Sequence, residues 1–117
     1  MRVKDAVGRY GEEVAAAHLT AAGMRIVTRN WRCPAGEIDI VAEDGGVVVI
    51  CEVKTRSSLR FGDPAEAVDP AKVARLRRLG ATWLAAHGGG REARYDVVTV
   101  LRRPGIGPLV RHLRGAL

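Results

Sequence analysis

The sequence predicts an α/β fold: a mixed sheet with flanking helices, in the order α-β-β-β-α-β. Three observations carry this. Residues 5–22 and 70–87 repeat apolar side chains at helical spacing. Between them, "EIDIVAE" and "VVVICEVKTR" read as strands joined by the turn signal "DGG". After the second helix comes another strand-like run, "YDVVTVLR", so one helix bridges two strands, as a parallel pair requires.

Each element has its own signals. Asp5 is a candidate N-cap for the first helix and Gly23 its stop. "MRIVTRN", residues 24–30, is a short strand, followed by a loop holding Trp31, Pro34 and Gly36. Residues 37–43 form the second strand, with Ile38 and Ile40 expected on one face and Glu37 and Asp39 on the other. The third strand, residues 47–56, starts as a continuous apolar run from Val47 to Cys51, the pattern of a strand covered on both faces. Residues 57–69 read as a polar loop with Gly62 and Pro64. Pro70 suits the first turn of the second helix, where Val73, Leu76, Gly80 and Trp83 recur on one face. The ending "LVRHLRGAL" is compatible with strand or helix.

At 117 residues the chain holds one core, so residues 1–117 are read as a single domain. A net charge of +6 points to a polyanionic partner, with nucleic acid the natural candidate and an anionic surface or simple solubility the alternatives. No stretch approaches the roughly 18 consecutive apolar residues of a membrane span. The N-terminus lacks the apolar core of a signal peptide. Cys33 and Cys51 fit no zinc spacing, and a reduced, cytoplasmic setting is expected.

The chemistry concentrates where the third strand stops being apolar. Glu52 and Lys54 are two residues apart and share a face. A two-residue turn at Gly45–Gly46 sets Asp39 opposite Glu52 and Glu37 opposite Lys54. A turn one residue earlier makes Asp39 and Glu52 diagonal neighbours. Opposed Cβ atoms lie about 4.5–5.5 Å apart, where like charges repel. A divalent cation would reconcile two such carboxylates: magnesium takes oxygen ligands, often one or two carboxylates with water and a phosphate. Asp39, Glu52 and the Val53 carbonyl are the candidate ligands, and Lys54 a candidate to hold or deprotonate a water. The implied reaction class is metal-assisted hydrolysis of a phosphodiester. The competing reading, a solvated strand end, suits any one of these residues better than all of them together.

Glu12 lies on the stripe of Ala15, Ala16 and Leu19 on the first helix, beside Gly8 and Gly11, which permit close approach. A carboxylate on an apolar stripe needs a partner. The candidate role is an outer-shell contact to the metal through water, and the alternative is an acid favoured by the helix dipole. Arg56, Arg60, Lys72, Arg75, Arg77 and Arg78 are candidates for phosphates on either side of the site, against a solvated basic face. Arg29, Arg32, Arg111 and Arg114 are equally open. Trp83 reads as core, whereas Trp31 is balanced between packing and stacking on an unpaired base.

With these residues in place, the chain resembles the PD-(D/E)xK nuclease superfamily, its D…ExK signature being Asp39, Glu52 and Lys54. Ile38 stands where that signature often carries proline. More closely, "GRYGEEVAAAHL", "GEIDIVA", "CEVKTR", "FGDPAEAV", "ATWLA", "YDVVTV" and "VRHLRGAL" resemble the bacterial YraN family of small endonuclease-like proteins. The resemblance implies a restriction-endonuclease-like core, nucleic-acid binding and a Mg2+ or Mn2+ cofactor. It is similar to archaeal Holliday-junction resolvases, where a first-helix Glu joins the site; Glu12 is the matching position. The resulting expectation is endonucleolytic cleavage of DNA rather than RNA, on branched or single-stranded forms. The alternative is a nucleic-acid-binding module that cuts nothing by itself. One site per chain means that concerted cutting of two strands needs a homodimer or two visits.

Overall fold

The computed structural model describes residues 5–58 and 69–117. Helix α1 spans Ala6–Ala21, and strands β1, β2 and β3 span Arg25–Cys33, Gly36–Asp44 and Val47–Arg56. Helix α2 spans Pro70–Ala86, β4 Ala93–Leu101 and β5 Leu109–Leu113. The expected α-β-β-β-α-β order therefore holds, with β5 added because the open C-terminal segment is a strand.

The five strands lie in sequence order. β1–β2, β2–β3 and β4–β5 are antiparallel, while α2 carries the chain across to a parallel β3–β4 pair. Each helix covers one face. Ala15 and Leu19 of α1 pack on Ile40, Ala42, Val49, Cys51 and Val98; Leu76, Leu79 and Trp83 of α2 pack on Ile38, Val41, Val48 and Ile50. Burying one such aliphatic side chain stabilises the fold by about 1.5–3 kcal/mol, so these two layers dominate its energetics. No helix among the described residues is long and apolar enough to cross a membrane.

The helix ends follow the sequence signals. The Asp5 carboxylate accepts from Gly8 N–H at 2.7 Å. The far end closes through Gly23 N–H to the Thr20 carbonyl and Met24 N–H to the Leu19 carbonyl, both 3.0 Å, with Gly23 at φ 94°. Asp69 caps α2 by accepting from Ala71 N–H at 2.9 Å. Two close approaches seat the helices. A Cβ at Gly11 would overlap the Thr55 side chain, and one at Gly80 would sit 2.7 Å from the Tyr95 ring.

Two expectations are corrected. Trp31 is not in a loop: β1 runs through it to Cys33, and its half-buried ring packs into the α2-side cluster, edge-on to His87 with centroids 6.3 Å apart. Ile38 and Ile40 do not share a face, because Ile40 packs under α1 and Ile38 under α2. Both strands turn over at the same point. Arg29 pairs with Ile40 and Trp31 with Ile38, and the residue between them in β1, Asn30, has φ 55°. Asparagine is among the residues that tolerate this left-handed conformation.

Candidate active site

The β2–β3 turn is the two-residue Gly45–Gly46 form, with φ 56° and 95°, and the register runs from Asp44↔Val47 to Ile40↔Cys51. There the ladder ends. Asp39↔Glu52 and Glu37↔Lys54, expected as its next pairs, are not among its bonded partners. Glu37 turns instead to Arg32, whose Nε lies 3.1 Å from its carboxylate. β3 stays bonded to β4 through Glu52↔Val97, Lys54↔Thr99 and Arg56↔Leu101. On its β2 side, Val53 N–H donates to Asp39 Oδ2 at 2.8 Å. A side chain takes over where the main-chain ladder stops, and the strands part.

A cleft of about 430 Å³ occupies that opening, lined by Asp39, Glu52, Val53, Lys54 and Arg56, with Lys72 and Arg75 of α2. By alternation, Glu52 and Lys54 point to the α2 side, while Thr55 meets Gly11 on the α1 side. A neighbouring hollow of about 330 Å³ shares Asp39, Glu52 and Arg75 and adds Arg32. Thus Asp39, Glu52, Lys54, Arg56, Lys72 and Arg75 converge on one cleft, and Arg32 stands at its side. Trp31 does not line it, and Arg60 lies outside the described residues, as does "FGDPAEAV".

Burial raises the Glu52 carboxyl above its ordinary value and the Asp39 charge adds to the rise, while Lys54, Arg75 and Lys72 pull it back. Burial lowers the Lys54 ammonium and Lys72 adds to this; Glu52 opposes it. Two carboxylates in a half-buried cleft with cations around them suit an oxygen-seeking divalent cation. Among the described residues no group of three or more His, Cys, Asp or Glu side chains gathers to hold a metal. A magnesium- or manganese-type ion would take Asp39 and Glu52, with the Val53 carbonyl, water and substrate oxygens completing its shell.

Glu12 is placed differently from these. It is 2 % exposed, and its carboxylate accepts from Asn30 Nδ2 at 2.7 Å and from Arg29 Nε at 3.1 Å. Its position is behind the Asn30 turn-over rather than on the cleft wall. Arg29 also meets Glu13 at 2.6 Å. The residues that sequence reasoning missed are Asn30 and the first turn of α1. Val7 and Gly8 line the cleft together with Asp5, whose carboxylate takes the Gly8 N–H at 2.7 Å. An asparagine inside a strand run was the available signal for the first; nothing local marks the second.

Comparison with known proteins then fixes the kinship. The model of UPF0102, an uncharacterised protein family, matches residues 11–100. The chain belongs to the UPF0102 family. It is 60% identical over 116 residues to the UPF0102 protein of Beutenbergia cavernae, covering 98% of each chain. To the UPF0102 protein of Frankia alni it is 58% identical over 118 residues, covering 99% of this chain and 98% of the other. That of Acidothermus cellulolyticus is 48% identical over 124 residues, at 97% and 94% coverage. UPF0102 is the YraN-like group that the motifs resemble.

Proposed function

We infer that this UPF0102 chain is a metal-dependent endonuclease of the PD-(D/E)xK type, hydrolysing phosphodiester bonds of DNA, including branched or single-stranded forms. The observation that carries the reading is the convergence of Asp39, Glu52 and Lys54 in one cleft whose α2 wall is Lys72 and Arg75. The divalent ion, magnesium or manganese, would supply Lewis acidity and charge neutralisation at the scissile phosphate. Asp39 and Glu52 would hold it; Val53 N–H fixes the Asp39 carboxylate. Lys54, on the Glu52 side of the strand, orients the attacking water and steadies negative charge developing on the phosphate. Water gives up a proton to solvent as its oxygen adds to phosphorus, one bridging P–O bond breaks, and the departing oxygen takes a proton from solvent. Lys72, Arg75, Arg56 and Arg32 hold flanking phosphates as point charges or forks. A cytoplasmic working place, and two copies wherever both strands are cut together, belong to the same reading.

The second reading, a nucleic-acid-binding module without cleavage, is favoured by one observation: Glu12 is engaged by Arg29 and Asn30 rather than lining the cleft. Labelled single-stranded, duplex, flap and four-way-junction DNA, incubated with Mn2+, Mg2+ or EDTA, separates the two. Metal-dependent cleavage that vanishes in Glu52→Ala supports the nuclease. Salt-sensitive binding with no cleavage moves the assignment to the binding module, and equal cleavage by Glu52→Ala overturns the proposed site.

A further inference from the structure

After Asp96 the chain carries Arg102, Arg103, Arg111 and Arg114 and no Asp or Glu. Two of these arginines lie in the β4–β5 connection, residues 102–108, whose tip is the most exposed large apolar side chain described. Ile106 is 75% exposed, and Leu109 follows at 42%. The loop is not slack. Ile106 N–H and Gly107 N–H both donate to the Arg103 carbonyl at 3.1 Å, and Arg103 Nε donates to the Gly107 carbonyl at 2.9 Å. Gly105 and Gly107 take φ 79° and 102°, conformations that side chains resist, and Pro104 and Pro108 restrict the flanks. The turn thus holds an isoleucine in water, where it contributes nothing to the core.

The location gives this a purpose. β3 and β4 are parallel, so their C-terminal ends lie together: Arg56 pairs with Leu101, and Arg102 N–H donates to the Arg56 carbonyl at 2.8 Å. Arg56 lines the cleft. At about 3.3 Å per strand residue, the hairpin begins roughly 13 Å beyond Glu52 along β3. One nucleic acid, rising about 3.4 Å per base step, could touch both within roughly four steps.

We propose that the β4–β5 hairpin is a second nucleic-acid contact, with Ile106 an apolar wedge against an exposed base face and Arg102 on the adjoining phosphate. The partner is nucleic acid in which a base step is already open, such as an unpaired bulge or gap. A pre-organised apolar tip flanked by cations matches the side chains that enter between base steps. An opened step removes the unstacking cost that intact duplex would impose. The inference rests on the reading that nucleic acid runs through the cleft. Its occupant is chosen by charge: a cation-rich segment without carboxylates suits a polyanion better than a second copy of this basic chain.

The test is binding in EDTA, followed by fluorescence anisotropy, of a labelled duplex and the same duplex with a two-base bulge. Ile106→Ala should bind the bulged DNA about five- to tenfold more weakly and the intact duplex within about twofold of the parent. Arg102→Ala should weaken both alike and reduce the salt slope by about one. A 2-aminopurine beside the bulge should change fluorescence with the parent and not with Ile106→Ala. Equal binding of both DNAs by parent and Ile106→Ala overturns the proposal. So does sedimentation showing a parent dimer that Ile106→Ala splits while binding per chain is unchanged. Cleavage with Mn2+ is read separately. A parent that discriminates through Ile106 but never cleaves sinks the nuclease reading alone, and one that cleaves with Ile106 irrelevant sinks the wedge alone.

Discussion

Asp39 Oδ2 accepts the Val53 backbone N–H at 2.8 Å, so the side chain that would bind metal also replaces the last rung of a sheet. The hydrogen bond and the proposed metal role fall on one carboxylate, and they can be tested apart. Asp39→Ala should lose both, with a stability cost of about 1–3 kcal/mol for an acceptor removed at a mostly buried site. Asp39→Asn keeps an oxygen for Val53 and should recover most of that stability while leaving metal-dependent cleavage lost. Urea unfolding alongside metal titration checks it; Asn restoring both would separate Asp39 from the metal.

Glu12 gives the opposite balance. It is 2 % exposed and satisfies Asn30 and Arg29 at the point where β1 turns over. Glu12→Ala removes the acceptor of an exposed Asn30 amide and one of the two carboxylates on Arg29, which keeps Glu13, and should cost about 1 kcal/mol. If the role is mainly structural, Glu12→Gln, which keeps an acceptor for Asn30, should recover part of this and retain cleavage. Loss of cleavage in a Glu12→Gln protein that melts near the parent would instead place Glu12 in the reaction.

Gly11 and Thr55 should behave as a coupled pair. A Cβ at Gly11 overlaps Thr55, so Gly11→Ala should cost about 1–3 kcal/mol from overpacking. In a Thr55→Gly background the hydroxyl, methyl and Cβ that a new Cβ would meet are all removed, and the roughly 1 kcal/mol helix preference of Ala over Gly remains. The double variant should therefore be more stable than the sum of the singles, by at least about 1 kcal/mol in a denaturation cycle. Additive losses would mean that α1 does not pack on β3 through this contact.

Asp96 supplies a pH dependence. It is fully buried on β4 and accepts from Arg94 through two bonds of 2.9 Å, from Gly115 N–H at 2.9 Å, and lies 2.7 Å from His112 Nε2. Burial alone would raise its carboxyl, but Arg94, the Gly115 N–H and His112 together hold it below its ordinary value of 3.8. A depressed folded value means that the unfolded chain takes up the proton first as acid is added. The stabilisation is complete above 3.8 and disappears as pH falls from there through the folded value. Asp96→Asn should be destabilised by about 2 kcal/mol or more at neutral pH, and the gap should narrow in acid. A gap constant from pH 7 to pH 3 would contradict this.

What the sequence settled alone was local. Periodicity and caps gave α1, α2 and the succession α-β-β-β-α-β along the chain, because burial of one face and the satisfaction of end groups are decided within a few residues. Strand alternation placed Glu52 and Lys54 on one face for the same reason, whereas the choice of the Gly45–Gly46 turn over one a residue earlier came from the structure. The acidic pair was legible because two carboxylates at the end of an apolar strand contradict the core around them.

Only the tertiary structure decided where the β2–β3 ladder stops, how Asn30 turns β1 and β2 over, and that Glu12 supports that turn from the helix above. It alone brought the first turn of α1 to the cleft and joined Asp96 to Arg94 and His112. These outcomes are competitions between groups far apart in the chain. The Val53 N–H can be taken by a main-chain carbonyl or by the Asp39 carboxylate. Ile38 and Ile40 can share a face or divide between two helices. Which wins depends on the packing of both layers at once, and no run of neighbouring residues contains that information.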